Sequence, residues 1–288
     1  MLPDANSLSS NGKQLWNAMV KQVKDKRIEV PLLPEVANRA ITLSQDPESD
    51  SVKLSQLIQS DPSLAAHIMS IANSATYSPN SSLVSLQQAI TRLGMNLICD
   101  IAVAASISNR MFHTPGYEQH IKGIWRHALA SALWAKEIAR ACRLNVEATF
   151  LCGLLHSIGR PVAIQDLIVI AKQSALDVTP DEMQALENGL EKVVGAHVLK
   201  KWGMPTIICE SHQYSQDYRN APHAMEQASI VHAAARFAQH MLTPEQLPLE
   251  ELVNSEVFED LNLYQDEVQL LLDKSDSVKS SMEAMSAA

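Results

Sequence analysis

The chain has 288 residues, enough for one large domain or two small ones at roughly 100–200 residues each, and 46% of them are hydrophobic and 19% charged, as in a globular fold. Acidic residues outnumber Lys and Arg 32 to 23, giving a net charge of −9, which argues against nucleic acid as a partner because that affinity comes mainly from cations neutralising phosphates. No stretch reaches the roughly 18 uninterrupted apolar residues of a membrane span, and the opening MLPDANSLSS lacks the basic and apolar parts of a secretory signal.

Helix-start signals recur along the chain. Asp61-Pro62 sets a capping oxygen before a proline whose fixed φ suits a first helical turn. Thr179-Pro180-Asp181-Glu182 forms a capping box, and Ser85 with Gln88 and Thr243 with Gln246 repeat the pattern more weakly. These starts predict helices at 10–27, 34–45, 51–60, 62–74, 85–93, 95–112, 119–143, 145–157, 161–174, 180–202, 205–214, 222–242 and 264–273. Leu64, Ile68, Ile71 and Ala72 share one face of the fourth, and Trp125, Leu129, Leu133, Ile138 and Cys142 share one side of the seventh. Asn73 is expected to close its helix in the left-handed cap conformation with Ser74 bonding back to the backbone, while Tyr77 and Trp125 read as packing anchors. Trp202-Gly203-Met204-Pro205 reads as a helix end and restart. No stretch alternates as a strand would, so the fold class is all-α.

A seam near 113–122, marked by Pro115 and Gly116, separates short helices from longer ones that carry seven of the ten histidines. After Leu272 the apolar periodicity fades, and the tail is expected to be loose. Cys99, Cys142, Cys152 and Cys209 have no CxxC spacing and sit among apolar residues, so they read as reduced thiols of a cytoplasmic protein. There is no P-loop and no glycine-rich dinucleotide fingerprint.

Four places are candidates for ligands: His127, His156 with Ser157, the segment holding Glu191 and His197, and His212. An antiparallel bundle could bring them together, since such folds build metal sites in their interior. Taken singly, a histidine in a helical protein is more often a hydrogen-bonded core or surface residue than a ligand.

The order WRHA, LLHSIGR, GAHVLKKWGMP, SH and IVHAAAR resembles the helical core of the HD superfamily of metal-dependent phosphohydrolases. Further upstream, VPLLPEVANRA, IQSDPSLAAHIMSIANSATY and VSLQQAITRLG resemble the HDOD family, the HD-related output domains of bacterial signalling proteins. The resemblance covers roughly residues 28–240. It implies a helical bundle of HD-like type with an N-terminal subdomain of shorter helices: an N-terminal helix at 1–27, that subdomain at 28–118, the HD-like subdomain at 119–242, and a C-terminal helical extension with a loose tail at 243–288.

The superfamily's ligands carry over unevenly. His127 matches the first histidine and His156 the histidine of the His-Asp pair, whose aspartate is here Ser157. Glu191 falls where a further histidine is usual, and His212 matches the second member of a His-His pair whose first is Ser211. The final aspartate is Ala235. Hard divalent ions favour anionic oxygen, so a hydroxyl and a methyl in place of two carboxylates leave little to hold an ion that must acidify water and clamp a phosphoryl oxygen. The resemblance therefore implies a vestigial pocket with no cofactor and no catalytic residue, holding at most an adventitious divalent ion on His127, His156 and His212.

Three functional readings follow from the resemblance. The first is a non-catalytic signalling module that works by protein contacts, with receiver, diguanylate cyclase or phosphodiesterase proteins as partners and no nucleic acid or membrane involved. The second is a phosphohydrolase with an altered ligand set. The third is a receptor for a small signalling nucleotide.

Overall fold

The structure is a computed structural model that describes residues 8–25, 27–46, 48, 50–78, 83–107 and 111–286. Among these residues it contains helices and no strands. Helix α1 (Ser10–Lys24) starts at Ser9, whose hydroxyl accepts from Gly12 N at 3.1 Å. It buries Leu15 and Met19. Its start is tied to the second half of the chain, because Ser9 N donates to Glu182 Oε1 at 2.7 Å and the Asn11 amide donates to Asp177 O at 2.8 Å.

An extended strap then crosses that half. Glu29 N donates to Asp166 Oδ2 at 3.2 Å, and the Trp202 indole N–H donates to Pro31 O at 2.8 Å. It leads into α2 (Glu35–Gln45), α3 (Ser51–Gln59), α4 (Pro62–Ala72), α5 (Leu86–Leu93) and α6 (Met95–Ser106). The caps lie where the sequence places them. Asp61 accepts from Ser63 N and Leu64 N at 3.0 and 3.1 Å, and Ser85 accepts from Gln88 N at 3.2 Å. Leu64, Ile68, Ile71 and Ala72 are all buried, which bears out the predicted face of α4. Gly94, at φ +88°, turns the chain by 118° between α5 and α6, a backbone conformation that favours glycine.

The second half is built on α7 (Glu118–Ala141), with α8 (Val146–Leu155) and α12 (Met225–Leu242) packed against it. Helices α9 (Gly159–Gln173) and α10 (Pro180–Lys201) form a second packed pair, and α11 (Thr206–Tyr214) lies against α8, α10 and α12. The capping box at α10 is formed, with Glu182 N donating to Thr179 Oγ1 at 3.2 Å and Thr179 N donating to Glu182 Oε2 at 3.1 Å. Gly203, at φ +68°, closes that helix. The α8–α9 stretch is apolar and about as long as a bilayer span, but most of it is buried in the bundle, so core packing accounts for its composition. The halves meet at a buried ion pair between Lys136 of α7 and Asp100 of α6, with the Lys136 ammonium 5.4 Å from the Phe150 ring centroid.

Several expectations are corrected. Asn73 ends α4 at φ −91° rather than in the left-handed region. Its side chain instead pins the chain ten residues on, accepting from Leu83 N at 2.6 Å and donating to Leu83 O at 2.9 Å. The Ser74 hydroxyl is buried with no partner among the described residues. Thr243 starts no helix, because its hydroxyl donates back to Gln239 O at 3.0 Å and closes α12. The helix predicted through 112 ends at Ser106, and residues 108–110 lie outside the described residues.

The tail departs furthest from expectation. The predicted helix at 264–273 forms as α15 (Gln265–Leu272), after two short helices, α13 (Leu249–Val253) and α14 (Val257–Asp260), but the stretch beyond it is α16 (Ser275–Ser286) in place of loose chain. Val278, Met282 and Met285 stand three or four residues apart on α16 and are buried against α6 and α7. The polar residues between them hide this stripe from a periodicity search.

Met282 is fully buried. Met282→Ala should therefore lower unfolding stability by roughly 2–5 kcal/mol, the usual cost of truncating a core methionine, whereas a loose tail would show no change in the urea midpoint. Burial raises Asp166 from 3.8 to about 7, against the hydrogen bond from Glu29 N and with the Glu29 carboxylate adding to the rise. Its stability contribution is present below about pH 4 and lost as pH climbs through 7. Urea midpoints of Asp166→Asn should gain on those of the wild type between pH 4 and 7, then run parallel to them above.

Candidate functional site

The sequence offers seven candidate positions on five elements, and the fold brings five of the seven to one cleft of about 300 Å³. His127 comes from α7, His156 and Ser157 from the turn after α8, Glu191 from α10 and Ala235 from α12. His156 thus lies just past its helix rather than in the last turn. Exposed Asn188 and Gln216 stand at the rim and open the cleft to solvent.

His197 is not among the lining residues, and neither is His212. His212 sits behind the cleft wall, 1% exposed, with Nδ1 donating to His156 O at 2.8 Å. Two glycines make this seat possible. A Cβ on Gly195 would lie 2.2 Å from His212 Nε2, and one on Gly159 would lie 2.0 Å from Glu191 O. Helix α9 therefore starts almost in contact with the α10 backbone. Ser211, at the other half of the expected histidine pair, donates to Ile207 O at 2.6 Å inside its own helix.

The imidazoles facing the cleft are tied to carbonyls, which can only accept. His127 Nε2 donates to Ala235 O at 3.2 Å, and His156 Nδ1 donates to Gly153 O at 2.7 Å. Each of these nitrogens carries its proton and has no lone pair to offer a metal. The two rings lie 5.5 Å apart at 53°. Burial lowers His127 to about 4 with Arg160 adding to the effect, and it lowers His212 to about 4 with Lys192 adding. His156 is held well below its ordinary value by burial and then by His127. All three are neutral at pH 7.

Cations that the sequence reading passes over complete the walls. Lys192 donates to His212 O at 2.6 Å and Ser215 Oγ at 2.7 Å and lies 3.5 Å from Glu191. Three acceptors call for the three N–H bonds of the ammonium. Arg160 pairs through Nε with Glu187, a fully buried carboxylate that also accepts from His120 Nε2 at 2.7 Å. Arg236 and His232 of α12 face the cleft as well, with His232 Nδ1 donating to Ser215 O at 2.8 Å. The signal for these residues was position. Arg160 follows His156 by four residues, Lys192 follows Glu191, and Arg236 follows Ala235. Charged neighbours of candidate ligands read more readily as solvated residues than as walls of the same pocket.

Histidines carried inward by a helical bundle, around a cleft walled by α7, α10, α12 and the α8–α9 turn, define the HD-like class of helical proteins. Within it the chain belongs to the HDOD domain family, whose model matches residues 30–218. A Shewanella amazonensis SB2B protein named as a metal-dependent phosphohydrolase has the same fold, at TM-score 0.72 and 23% identity, covering 96% of this chain and all (100%) of that one. A Geobacter sulfurreducens HDOD domain protein gives 0.70 and 22%, covering 94% and 97%. A Marinobacter aquaeolei VT8 protein named for signal transduction gives 0.67 and 23%, covering 97% of this chain and 67% of that one. At these identities the likeness establishes the fold. An uncharacterized protein of Treponema pallidum (strain Nichols) is 21% identical over 231 residues, 76% of this chain and 43% of that relative, so the chain spans less than half of that protein's length.

The close approach at α9 can be tested by paired glycine substitutions. A Cβ on Gly159 meets backbone at 2.0 Å, while one on Gly123 of α7 meets nothing within 4 Å. Gly159→Ala should destabilise by at least roughly 1–3 kcal/mol, and Gly123→Ala should stabilise by roughly 0.5–1 kcal/mol. Equal urea midpoints for the two variants would contradict this packing.

Proposed function

We propose that this protein is a signalling output module that performs no phosphoester hydrolysis and transmits its signal through contacts with other proteins. Membership of the HDOD family supports a signalling role. The observation that carries the non-catalytic reading is the donor set. At the positions of the two acidic ligands stand a serine hydroxyl and a methyl, and the Nε2 of His127 is spent on the carbonyl of Ala235. Among the described residues, no three His, Cys, Asp or Glu side chains are grouped so as to hold a metal ion.

These residues do not fit a hard divalent cation. Such an ion needs anionic oxygens, and the cleft offers one carboxylate, Glu191, beside the Lys192 ammonium. An ion bound at His127 Nε2 would also have to displace the hydrogen bond to Ala235 O. Without an ion to acidify water, the neutral imidazoles have no strong nucleophile to present. What such a module offers its partners is shape and charge. Receiver, diguanylate cyclase or phosphodiesterase proteins are the partners that the family resemblance favours.

Purified protein incubated with Mn²⁺, Ni²⁺ or Zn²⁺ and a panel of phosphodiesters and nucleotides should show no turnover above that of a His127→Ala/His156→Ala variant. Metal-dependent turnover in the wild type that the double variant lacks would refute the reading.

A further inference from the structure

Three cations reach the cleft from three helices: Arg160 on α9, Lys192 on α10 and Arg236 on α12. The lining itself presents one carboxylate, Glu191, against these three cations. The other acidic partners sit behind or beyond these walls. Glu187, with no exposed side chain, takes Arg160 Nε, and Glu251, 61% exposed, lies 3.4 Å from Arg236 Nη2. That leaves Arg236 Nε buried, with no hydrogen-bond partner among the described residues. An unpaired buried donor is uncommon and asks for an explanation, the more so on a guanidinium.

The imidazoles register the same field. After burial, which acts first on each, Arg160 depresses His127, Lys192 depresses His212, and Arg236 depresses His232 below their ordinary values. Neutral donors stand among the cations, including Ser157, Asn188 and Gln239. The 15-residue helix α9 also begins at Gly159, so its first turn lies beside Ser157 at the cleft.

We propose that this cleft binds the phosphoryl group of a small phosphate monoester directly, with Arg160, Lys192 and Arg236 supplying the positive charge and no metal taking part. Guanidinium forks match carboxylates and phosphates alike. Here, however, the cations approach from three separate helices, which suits a tetrahedral group with three terminal oxygens better than a planar carboxylate. A volume of about 300 Å³ lies at the lower end of small-molecule sites, which run from roughly 300 to 1,000 Å³. That leaves room beyond the phosphoryl group for a carrier of mononucleotide or sugar-phosphate size. The inference shares the donor-set argument with the non-catalytic reading and does not depend on the identity of any protein partner.

The test is thermal melting of the full chain in EDTA at matched ionic strength, with inorganic phosphate, glycerol 3-phosphate, AMP or acetate added. Ligands that bind only the folded state raise Tm by mass action. Phosphate and at least one monoester should raise Tm and acetate should not. Arg236→Gln should weaken the phosphate response at least tenfold in ligand concentration. Arg39→Gln, a variant at an exposed residue paired with Glu35, should leave it unchanged. Arg160→Gln should also weaken it, and because that change strips buried Glu187 of a partner, Arg236→Gln is the deciding variant. No response to any phosphate, an equal response to acetate, a response that appears only with added metal, or an unchanged Arg236→Gln would each overturn the proposal. Hydrolysis of the monoester would refute the non-catalytic reading while supporting binding, so the two can fail separately.

Discussion

The arrangement of the cleft depends on one partly buried ammonium. Lys192 joins its own helix to the last turn of α11 and the serine beyond it, through Glu191, His212 O and Ser215 Oγ. Burying a charge is costly unless it is paired and hydrogen-bonded, and here every N–H has an acceptor. Once seated, the charge sets the electrostatics around it. At an effective dielectric near 20, a further unit of positive charge about 4 Å away meets a repulsion of about 4 kcal/mol. Burial first, and this field after it, keep His212 unprotonated, and a neutral His212 can hold His156 in place through its Nδ1.

Much of this was legible in the sequence, and what escaped it did so for definite reasons. Caps such as Asp61 and Thr179 are local chemistry, written within four residues, so the helix starts they predict are found in the structure. The stripe on α4 was legible for the same reason, since repeated apolar spacing needs no knowledge of the rest of the fold. Helix α16 was not, because its buried methionines and valine are diluted by Ser, Lys and Glu and gain meaning only against α7. Asn73 was misread as a backbone device, because nothing local announces a partner ten residues away.

At the site, candidate ligands could be matched position by position, yet their orientation could not. Ala235 was read for its missing carboxylate, whereas its carbonyl turns out to engage His127. His212 was grouped with the cleft and lies behind it, because two glycines let the backbone approach closely enough to enclose its ring. Arg160, Lys192 and Arg236 stand beside or within one turn of those matched positions. They share one space only because three helices converge there, which is a property of tertiary packing.

Helix α12 carries a last consequence. It supplies Ala235, Arg236 and His232, yet it begins at Met225, beyond the stretch that sequence comparison matches to the family. The recognisable signature and the physical unit are therefore different lengths of chain. A fragment trimmed to the signature would lack a whole side of the hollow and would bare the surface of α7 that α12 covers. The residues that shape the hollow therefore extend past the recognisable signature.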